Sequence, residues 1–488
     1  MTAKQFTLRN MPKGFFPIYF IQLFSTASFA VLYSTLVLYM KLKLGLSAVE
    51  ATAITGVYFA YNFALHLLSG TIAGRLFSYR DLVALGLVFQ LIGCLFLSMG
   101  SITSLYLGLA LMLIGTGTMV TCINMMLSQL FEPEDTRREY AFFWNYSGMN
   151  IGFVLGFTVA GVFQLNQNYH VLFIITALTN VIGLSLLLTY WKALKDRDTD
   201  LSKLNSRQKT IRFMYGCILI LMLVPTLFIL LHHVDISDDL VLFTGAAVFL
   251  FLAKTAFQYD RPTRNKIFVF LCLQLFALIF WVIYQIAPMG LTLFAQYNVD
   301  RHLWGHLIAP AWIQNINSIT IIVGGPLLAL LFRWFRNQTS VDINIPLQFS
   351  LGILLAGIGL LLLPLGIHYA SVLGYVAFSW IFAIYVLQAI AELCIGPIGY
   401  SMIGLLAPPK LQSIMMGTVL LYSGVASVLA SYFSNYALGH STSTSPLVTD
   451  PGYSHAFLQL GIITVLAAIV LFIIGPRMMR FMGKNTRL

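Results

Sequence analysis

One carboxylate stands inside a long apolar run of this sequence. The stretch YVLQAIAELCIGPIGYSM contains Glu392, and no basic residue is nearby. Because a charge in a bilayer costs a few kcal/mol, such a residue is a candidate for function and should face the protein interior. Glu392 could bind the cationic end of a solute or exchange a proton, but it could also be a protonated acid that joins two helices. At helical spacing it belongs to one polar and glycine-lined stripe: Tyr385, Gln388, Glu392, Gly396 and Gly399.

A second ionisable side chain, His66, lies in the apolar run YNFALHLLSG. It could exchange protons if water surrounds it, and the alternative is a neutral histidine bonded to a neighbouring helix. Buried amides could fix the donors and acceptors of a polar solute, or equally join helices to each other. The uncharged candidates for this pocket are Asn145, Tyr146, Asn150, Gln285, Gln314 and Asn317.

The composition around these residues is that of a membrane protein. Of 488 residues, 59% are hydrophobic and 9% are charged, whereas about a quarter are charged in soluble domains. A helix needs about 20 apolar residues to cross a bilayer. Fourteen such runs lie near residues 15–40, 49–74, 82–101, 104–131, 140–165, 170–191, 211–231, 239–257, 267–297, 307–332, 345–367, 371–408, 411–438 and 455–476.

The net charge of +11 indicates membrane topology rather than binding to nucleic acid. If the N-terminus is cytoplasmic, 25 of the 28 Lys and Arg lie in or beside cytoplasmic segments, and only Lys41, Lys43 and Arg301 lie outside. Such a bias fixes orientation during insertion. We therefore expect both termini in the cytoplasm and a plasma membrane location. The first apolar run is too long for a signal peptide and should stay in the membrane.

The polar stretch KALKDRDTDLSKLNSRQKT divides the chain after the sixth apolar run. Two runs follow it as a hairpin, and six more complete the sequence. This order predicts an all-α integral membrane protein with six-helix bundles at 1–195 and 267–488, and an inserted segment at 196–266 with two accessory helices. The sequence contains no phosphate-binding loop, paired catalytic carboxylates, nucleophile triad or metal-ligand spacing. We therefore predict neither an enzyme nor a cofactor.

Several segments resemble the proton-dependent oligopeptide transporter family of the major facilitator superfamily. The stretch FFWNYSGMNIG is similar to the family's fifth helix, whose signature is matched by Phe142, Tyr146, Asn150 and Gly152. QNINSITIIVGGPLLALLF resembles its eighth helix, and AELCIGPIGYSMIGLLAPPKLQSIMMG resembles its tenth and eleventh, which places Asn317 and Glu392 at matching positions. The resemblance covers most of the chain. It implies the major facilitator fold with the helix pair that bacterial members insert, and therefore the inner membrane of a bacterium.

The chain departs from the family pattern where the family keeps its charges. The first-helix E-x-x-E-R motif, which the family uses in proton coupling, is replaced by Gln22, Ser25 and Thr26. Val120 stands at the position of the fourth-helix lysine, and Val419 stands at that of the eleventh-helix tryptophan. With no Lys or Arg in the span interiors, we expect weak recognition of ordinary di- and tripeptides. The expected substrate is neutral, cationic or modified.

These observations predict a secondary active transporter. We expect a proton-coupled symporter of peptides or peptide-like small molecules that works by alternating access, with its substrate at a central site near Glu392. The expected partners are the solute, protons and the lipid bilayer, with no nucleic acid, and the chain is expected to be a monomer. Two alternatives stay open. One is a proton-coupled exporter of cationic or amphipathic compounds, and the other is a receptor that binds a ligand without transporting it.

Overall fold

The computed structural model describes residues 11–132, 134–135, 137–197, 199–339, 344–439 and 443–482. In this part of the chain, fourteen helical segments are long and apolar enough to cross a membrane, which confirms the predicted all-α class and the number of spans. The helices are α1 (Phe15–Leu38), α2 (Ala48–Ile72), α3 (Tyr79–Ser98), α4 (Ile102–Ser128), α5 (Arg137–Leu165), α6 (Tyr169–Thr189), α7 (Ser206–His232), α8 (Val234–Ala256), α9 (Arg261–Gln285), α10 (Thr292–Tyr297), α11 (Pro310–Ile313), α12 (Asn315–Thr339), α13 (Ile345–His368), α14 (Phe378–Leu406), α15 (Gln412–Leu438) and α16 (Pro446–Met482).

Short irregular and extended elements connect some of these helices. Two π-helical turns follow α1 and α9, at Tyr39–Lys43 and Ala287–Leu291, and a 3₁₀ turn precedes α15 at Pro409–Leu411. The connections on either side of α11 to α13 form two small sheets. Strand β1 (Val299–Asp300) pairs in parallel with β4 (Val376–Ala377), and β2 (His302–Leu303) pairs antiparallel with β3 (His306–Leu307).

Several predicted span bounds differ from those in the structure. The run 371–408 becomes helical only at Phe378, because its first residues form a turn and β4. The run 307–332 is interrupted at Gln314, between α11 and α12. The helix predicted at 455–476 extends in both directions and begins at Pro446, a residue type that suits the first turn of a helix.

Contacts between Cα atoms divide the chain into two compact units. The first comprises Met1–Tyr33 and Tyr61–His233, and the second comprises Ser34–Ala60 and Val234–Leu488. Within the first unit α7 packs on α4, and within the second α8 packs on α9 and α15. The domain bounds 1–195, 196–266 and 267–488 stay a prediction.

Glycines bring α3 and α4 of the first unit into close contact. A Cβ atom built on Gly115 would lie 2.7 Å from the carbonyl oxygen of Gly86, and one built on Gly93 would lie 2.9 Å from that of Gly108. Small residues permit such close backbone approach where lipid gives helices no hydrophobic reason to associate. The stretch LIGTGTMV, which contains Gly115, therefore packs as its small residues suggest.

We predict that Gly115→Ala destabilises the protein. The added methyl group would meet the Gly86 carbonyl and the Gln90 side chain at 2.7 and 2.5 Å, and overpacking of this kind costs about 1–3 kcal/mol. The measurement is thermal unfolding in detergent. The matched control is Gly404→Ala in α14, where the new methyl group meets no atom within 4 Å and should leave the melting temperature unchanged or raise it. Equal melting temperatures for the two variants would contradict the prediction.

Candidate functional site

Glu392 lies at the centre of α14, with fourteen residues of the helix on either side. Its Oε2 accepts a hydrogen bond from Asn317 Nδ2 at 3.1 Å. Asn317 lies in the first turn of α12, and α12 packs against α14 within the second unit. The carboxylate and the amide that the sequence singled out are therefore direct partners.

The stripe of α14 through Glu392 has a packed half and an open half. Tyr385 and Gln388, on the N-terminal side, are buried, and Gln388 Nε2 donates to the carbonyl of Ile283 in α9 at 3.3 Å. On the C-terminal side, a Cβ atom built on Gly399 would meet no atom within 4 Å. One built on Gly396 would meet only Cγ of Glu392, at 4.0 Å. The glycines thus leave space beside the carboxylate.

Among the buried amide oxygens of the second unit, Oε1 of Gln285, at the end of α9, and Oε1 of Gln388 have no partner among the described residues. An unsatisfied buried acceptor costs about 1–3 kcal/mol, so such groups call for an explanation. Together with Glu392 they supply acceptors on α9 and α14. This chemistry suits a solute that donates hydrogen bonds, such as an ammonium or amide group.

Gln314 has a different environment from the other predicted amides. It occupies the break between α11 and α12, where its Nε2 donates to the Ala287 carbonyl at 3.2 Å and to Thr292 Oγ1 at 3.3 Å. The Gln314 side chain also forms a hydrogen bond with the Tyr385 hydroxyl. These bonds join the π turn after α9 to α14, which is the interhelical bonding that the sequence analysis left open for this amide beside substrate contact.

In the first unit, the predicted residues of α5 lie on successive turns. Asn150 is buried, and its Nδ2 donates to the carbonyl of Tyr146 at 3.0 Å. The Tyr146 side chain is 47% exposed. Asn145 is buried, its Nδ2 lies 3.5 Å from Asn124 Oδ1 of α4, and its own Oδ1 has no partner in the described chain. The amide of Asn150 is thus turned back onto its own helix.

His66 lies on α2 and is only partly buried. Its Nε2 is enclosed, yet it has no hydrogen-bond partner in the part of the chain that the structure describes. The backbone carbonyl of His66 accepts from Thr121 of α4 at 3.3 Å. The ring lies edge-on to Phe63, with centroids 6.2 Å apart. The bond to a neighbouring helix is therefore made by the backbone rather than by Nε2.

In the oligopeptide transporter family that the sequence resembles, α1 carries charged residues at the position of Gln22–Thr26. In this chain the region is neutral, and its side chains form hydrogen bonds with each other. Gln22 Nε2 donates to Thr26 Oγ1 at 2.9 Å, and both side chains are buried. The backbone of α5 comes close at this point, because a Cβ atom built on Gly152 would lie 2.5 Å from the Leu23 carbonyl oxygen. Neither an amide nor a hydroxyl exchanges protons near neutral pH, so this part of α1 cannot replace the lost carboxylates.

Two buried carboxylates were not predicted from the sequence. Asp238 lies just before the predicted run 239–257, and α8 begins at Val234 and therefore includes it. Its side chain forms a hydrogen bond with Tyr432 of α15, and its Oδ1 lacks a partner among the described residues. Asp450 lies in the first turns of α16 and accepts from Asn298 Nδ2 at 2.8 Å. Helical spacing extended into the flanking polar residues would have found both. No group of three metal-ligating side chains occurs in the described residues.

Comparison with known proteins identifies the family. The family model PTR2, described as the POT family, matches residues 80–444, well over half of the chain. The chain belongs to the POT family. The relatives are permeases, which confirms the prediction of a membrane transporter rather than an enzyme.

Two curated relatives match over almost their whole length. Dipeptide and tripeptide permease B of Salmonella typhimurium is 25% identical over 481 residues, covering 98% of this chain and 97% of the permease. Dipeptide and tripeptide permease A of Escherichia coli strain K12 is 26% identical over 479 residues, covering 96% and 93%. These bacterial relatives and the fourteen helices indicate a multi-pass protein of a bacterial inner membrane.

Solved structures confirm the predicted fold. The peptide transporter POT in complex with sulfate superposes with a TM-score of 0.85 at 23% identity, over 98% of this chain and 97% of the other. A POT family transporter in complex with 5-aminolevulinic acid gives a TM-score of 0.81 at 22% identity, over 97% and 98%. The all-α major facilitator fold with an inserted helix pair is therefore correct.

We predict opposite stability effects for two glutamines of the second unit. Gln285→Met removes an unpartnered buried oxygen and should hold or raise the melting temperature, because that oxygen costs about 1–3 kcal/mol. Gln314→Met is the matched control, because it breaks the bonds to Ala287 and Thr292 and should lower the melting temperature. If Gln285 serves the substrate, its variant should nevertheless lose transport. Thermal unfolding in detergent and uptake into proteoliposomes measure the two effects. A less stable Gln285→Met variant would show that its oxygen is satisfied in the protein.

Proposed function

We propose that this protein is a proton-coupled secondary transporter of peptide-like solutes. The proposal draws on the POT family membership and on the relatives that are named dipeptide and tripeptide permeases. Within this chain, the observation that carries it is the Glu392–Asn317 pair at the middle of α14, beside the open space at Gly399. Transporters of this architecture keep their sites near the bilayer midplane.

In the proposed mechanism Glu392 serves both the proton and the solute. When protonated, Glu392 is neutral, donates a hydrogen bond from its hydroxyl group and still accepts one at its carbonyl oxygen, so the proton and the amino group of a solute can occupy the site together. An ionised carboxylate without a cationic partner is costly to enclose during the change of access, whereas the protonated acid is not. This difference favours crossing with the proton bound and links the two flows in one direction. Because Gln22 and Thr26 are uncharged, they offer no group on α1 that could carry the proton in place of Glu392.

We further propose that the chain works as a monomer with both termini in the cytoplasm. The orientation is supported by the second unit, where Lys41 Nζ lies 5.6 Å from the centroid of the Tyr297 ring. This contact brings the connection after α1 and the connection after α10 to the same side. The three basic residues predicted outside, including Arg301, lie on these two connections, and the remaining 25 lie elsewhere, as the positive-inside rule requires.

We predict that Glu392→Gln abolishes gradient-driven accumulation while exchange of solute down its own gradient persists. Glutamine keeps the size and the bond to Asn317 but cannot carry a proton. With one proton per solute and a gradient of about one pH unit, wild type can accumulate solute up to about tenfold, since one pH unit corresponds to about 1.4 kcal/mol. Uptake and counterflow of a mixed peptide and small-solute pool into proteoliposomes, with and without the gradient, provide the measurement.

The control for this experiment is Glu139→Gln, which makes the same chemical change at an exposed position of α5. It should behave as wild type. If the Glu392→Gln variant still accumulates solute against its gradient, another group carries the proton and the mechanism is wrong. Ligand binding without any flux in wild type would favour the receptor alternative, and outward flux driven by the imposed gradient would favour the exporter.

The substrate class follows from the charges of the described residues. Their Lys and Arg lie at helix ends or in connections, so no cation stands near Glu392 along α12 or α14. Acceptors at Gln285, Gln388 and Glu392 are ready for an amino group. A free carboxylate, in contrast, would be desolvated without a positive partner, which costs several kcal/mol. We propose that the amino end of a peptide-like solute is recognised and that its carboxyl end is not.

We predict that a dipeptide amide competes for uptake at least as well as the same dipeptide with a free carboxylate. The neutral amide avoids the desolvation cost of the charge and keeps the amino group. The measurement is competition of dialanine and dialanine amide against the solute that the first experiment identifies. N-acetyl-dialanine serves as the control that lacks the amino group and should not compete. Uptake that requires the free carboxylate would contradict the proposed substrate class.

A further inference from the structure

A cavity of about 460 Å³ lies in the first unit, and no residue of α14 lines it. Its walls come from the connection between α2 and α3, the first turn of α3, the linker between α6 and α7, and the first two turns of α7. This end of the helices carries the linker rich in Lys and Arg, so it is the end that we expect in the cytoplasm. The transport mechanism uses none of these residues.

Three basic side chains line the cavity without forming an ion pair with any described residue. They are Arg80, Lys195 and Lys209. Arg80 lies over the Trp191 ring at 4.5 Å and donates from Nη1 to the Trp191 carbonyl, but its buried Nε has no partner in the described chain. Lys209 Nζ has only the Ser202 carbonyl, at 3.2 Å. Arg80 interacts electrostatically with Asp196, whereas Lys195 and Lys209 pair with no described acid, so the cavity presents a buried donor on Arg80 and two unpaired lysine charges.

The two acids of the cavity are engaged elsewhere. Asp81 accepts from the backbone of Ser78 at 3.3 Å in the capping box of α3. Asp196 accepts from the Tyr79 amide at 2.9 Å and also bonds the backbone of Arg80. Burial raises the pKa of Asp196 to about 6, although these amide bonds oppose the shift, so Asp196 is mostly ionised at neutral pH. Both carboxylates serve the start of α3, and three cations face two acids.

The apolar surroundings of the cavity point to a lipid as the source of the anion. Leu76 and Phe213 form part of its wall. Beyond Phe213, α7 continues with apolar side chains on its surface, including Met214 at 58% and Ile218 at 57% exposure. An acyl chain along this face of α7 would lead directly to a headgroup in the cavity. Basic pockets at the cytoplasmic ends of membrane helices suit anionic phospholipid headgroups.

We propose that the cavity bounded by Arg80, Lys195 and Lys209 binds the phosphate-bearing headgroup of an anionic phospholipid, with an acyl chain on α7. The bound lipid neutralises the unmatched cations and holds the α6–α7 linker against the start of α3. The site is independent of the proposed transport activity, because none of its residues lies in the machinery around Glu392.

The test uses the full-length protein in nanodiscs of phosphatidylcholine, with or without phosphatidylglycerol. Native mass spectrometry counts the retained phosphatidylglycerol molecules, and thermal unfolding in detergent records the stabilisation by added lipid. The double variant Lys195→Gln, Lys209→Gln should bind the tightest phosphatidylglycerol at least about tenfold more weakly. The matched control is Lys192→Gln, Lys203→Gln, which removes the same charge from exposed positions of the same linker and should retain this lipid.

The outcomes separate the possible sources of the anion. Loss of one phosphatidylglycerol and of its stabilisation in the cavity variant alone supports the proposal, and Lys195→Arg, Lys209→Arg should restore both. Equal loss in the control would assign the effect to general surface charge and overturn it. If inorganic phosphate stabilises wild type as strongly as phosphatidylglycerol does, the ligand is a free anion and the lipid assignment is wrong. If the cavity variant does not fold, failure of wild type to retain phosphatidylglycerol over phosphatidylcholine would still overturn the proposal.

Discussion

The cost of placing a carboxylate in an apolar medium is the constraint on which this structure depends. Glu392 stands at the middle of a 29-residue helix, where water does not freely solvate it. The protein supplies one hydrogen-bond donor to this carboxylate, the amide of Asn317. It leaves open space beside the carboxylate at Gly399. A single neutral donor leaves much of the charge uncompensated. That imbalance makes the carboxylate responsive to protons and to cationic groups, as its proposed coupling role requires.

The helices pack tightly outside the open stripe of α14 that contains Glu392. In the first unit, Gly115 and Gly93 bring two helices to backbone contact. In the second unit, a Cβ atom built on Gly352 of α13 would lie 3.1 Å from the Ala391 carbonyl oxygen of α14, immediately beside Glu392. One face of α14 is therefore fixed by close contact, and the adjacent stripe is open. Glycine is present in both places. Where a neighbouring helix fills the space of the missing side chain, the two helices come into close contact. Where no neighbour fills it, the space stays open.

The distribution of cations has consequences for both proposed sites. The described Lys and Arg residues are kept out of the helix centres, so the acceptors around Gln285, Gln388 and Glu392 are not matched from within. The basic residues gathered at Arg80, Lys195 and Lys209 outnumber the two acids beside them, which bond the start of α3. The first region is our proposed site for a positive group, and the second is our proposed site for a negative one. The separation follows from topology, since positive charges remain at one side of the membrane.

The sequence by itself determined the class, the number of spans and the central candidate. Apolar runs of bilayer length allow little besides helices, and a carboxylate within such a run is costly enough to stand out. Periodicity also placed Gln388 and Glu392 on one stripe. It could not pair Glu392 with Asn317, since the two are 75 positions apart and only packing of α12 on α14 joins them. Nor could it separate Gln285 from Gln314, because an amide's role depends on whether neighbouring helices offer it a partner. Tertiary structure decided these points, along with the hydrogen bond of Asp238 with Tyr432 and the cavity at Arg80, because each depends on groups that come together only when distant segments pack.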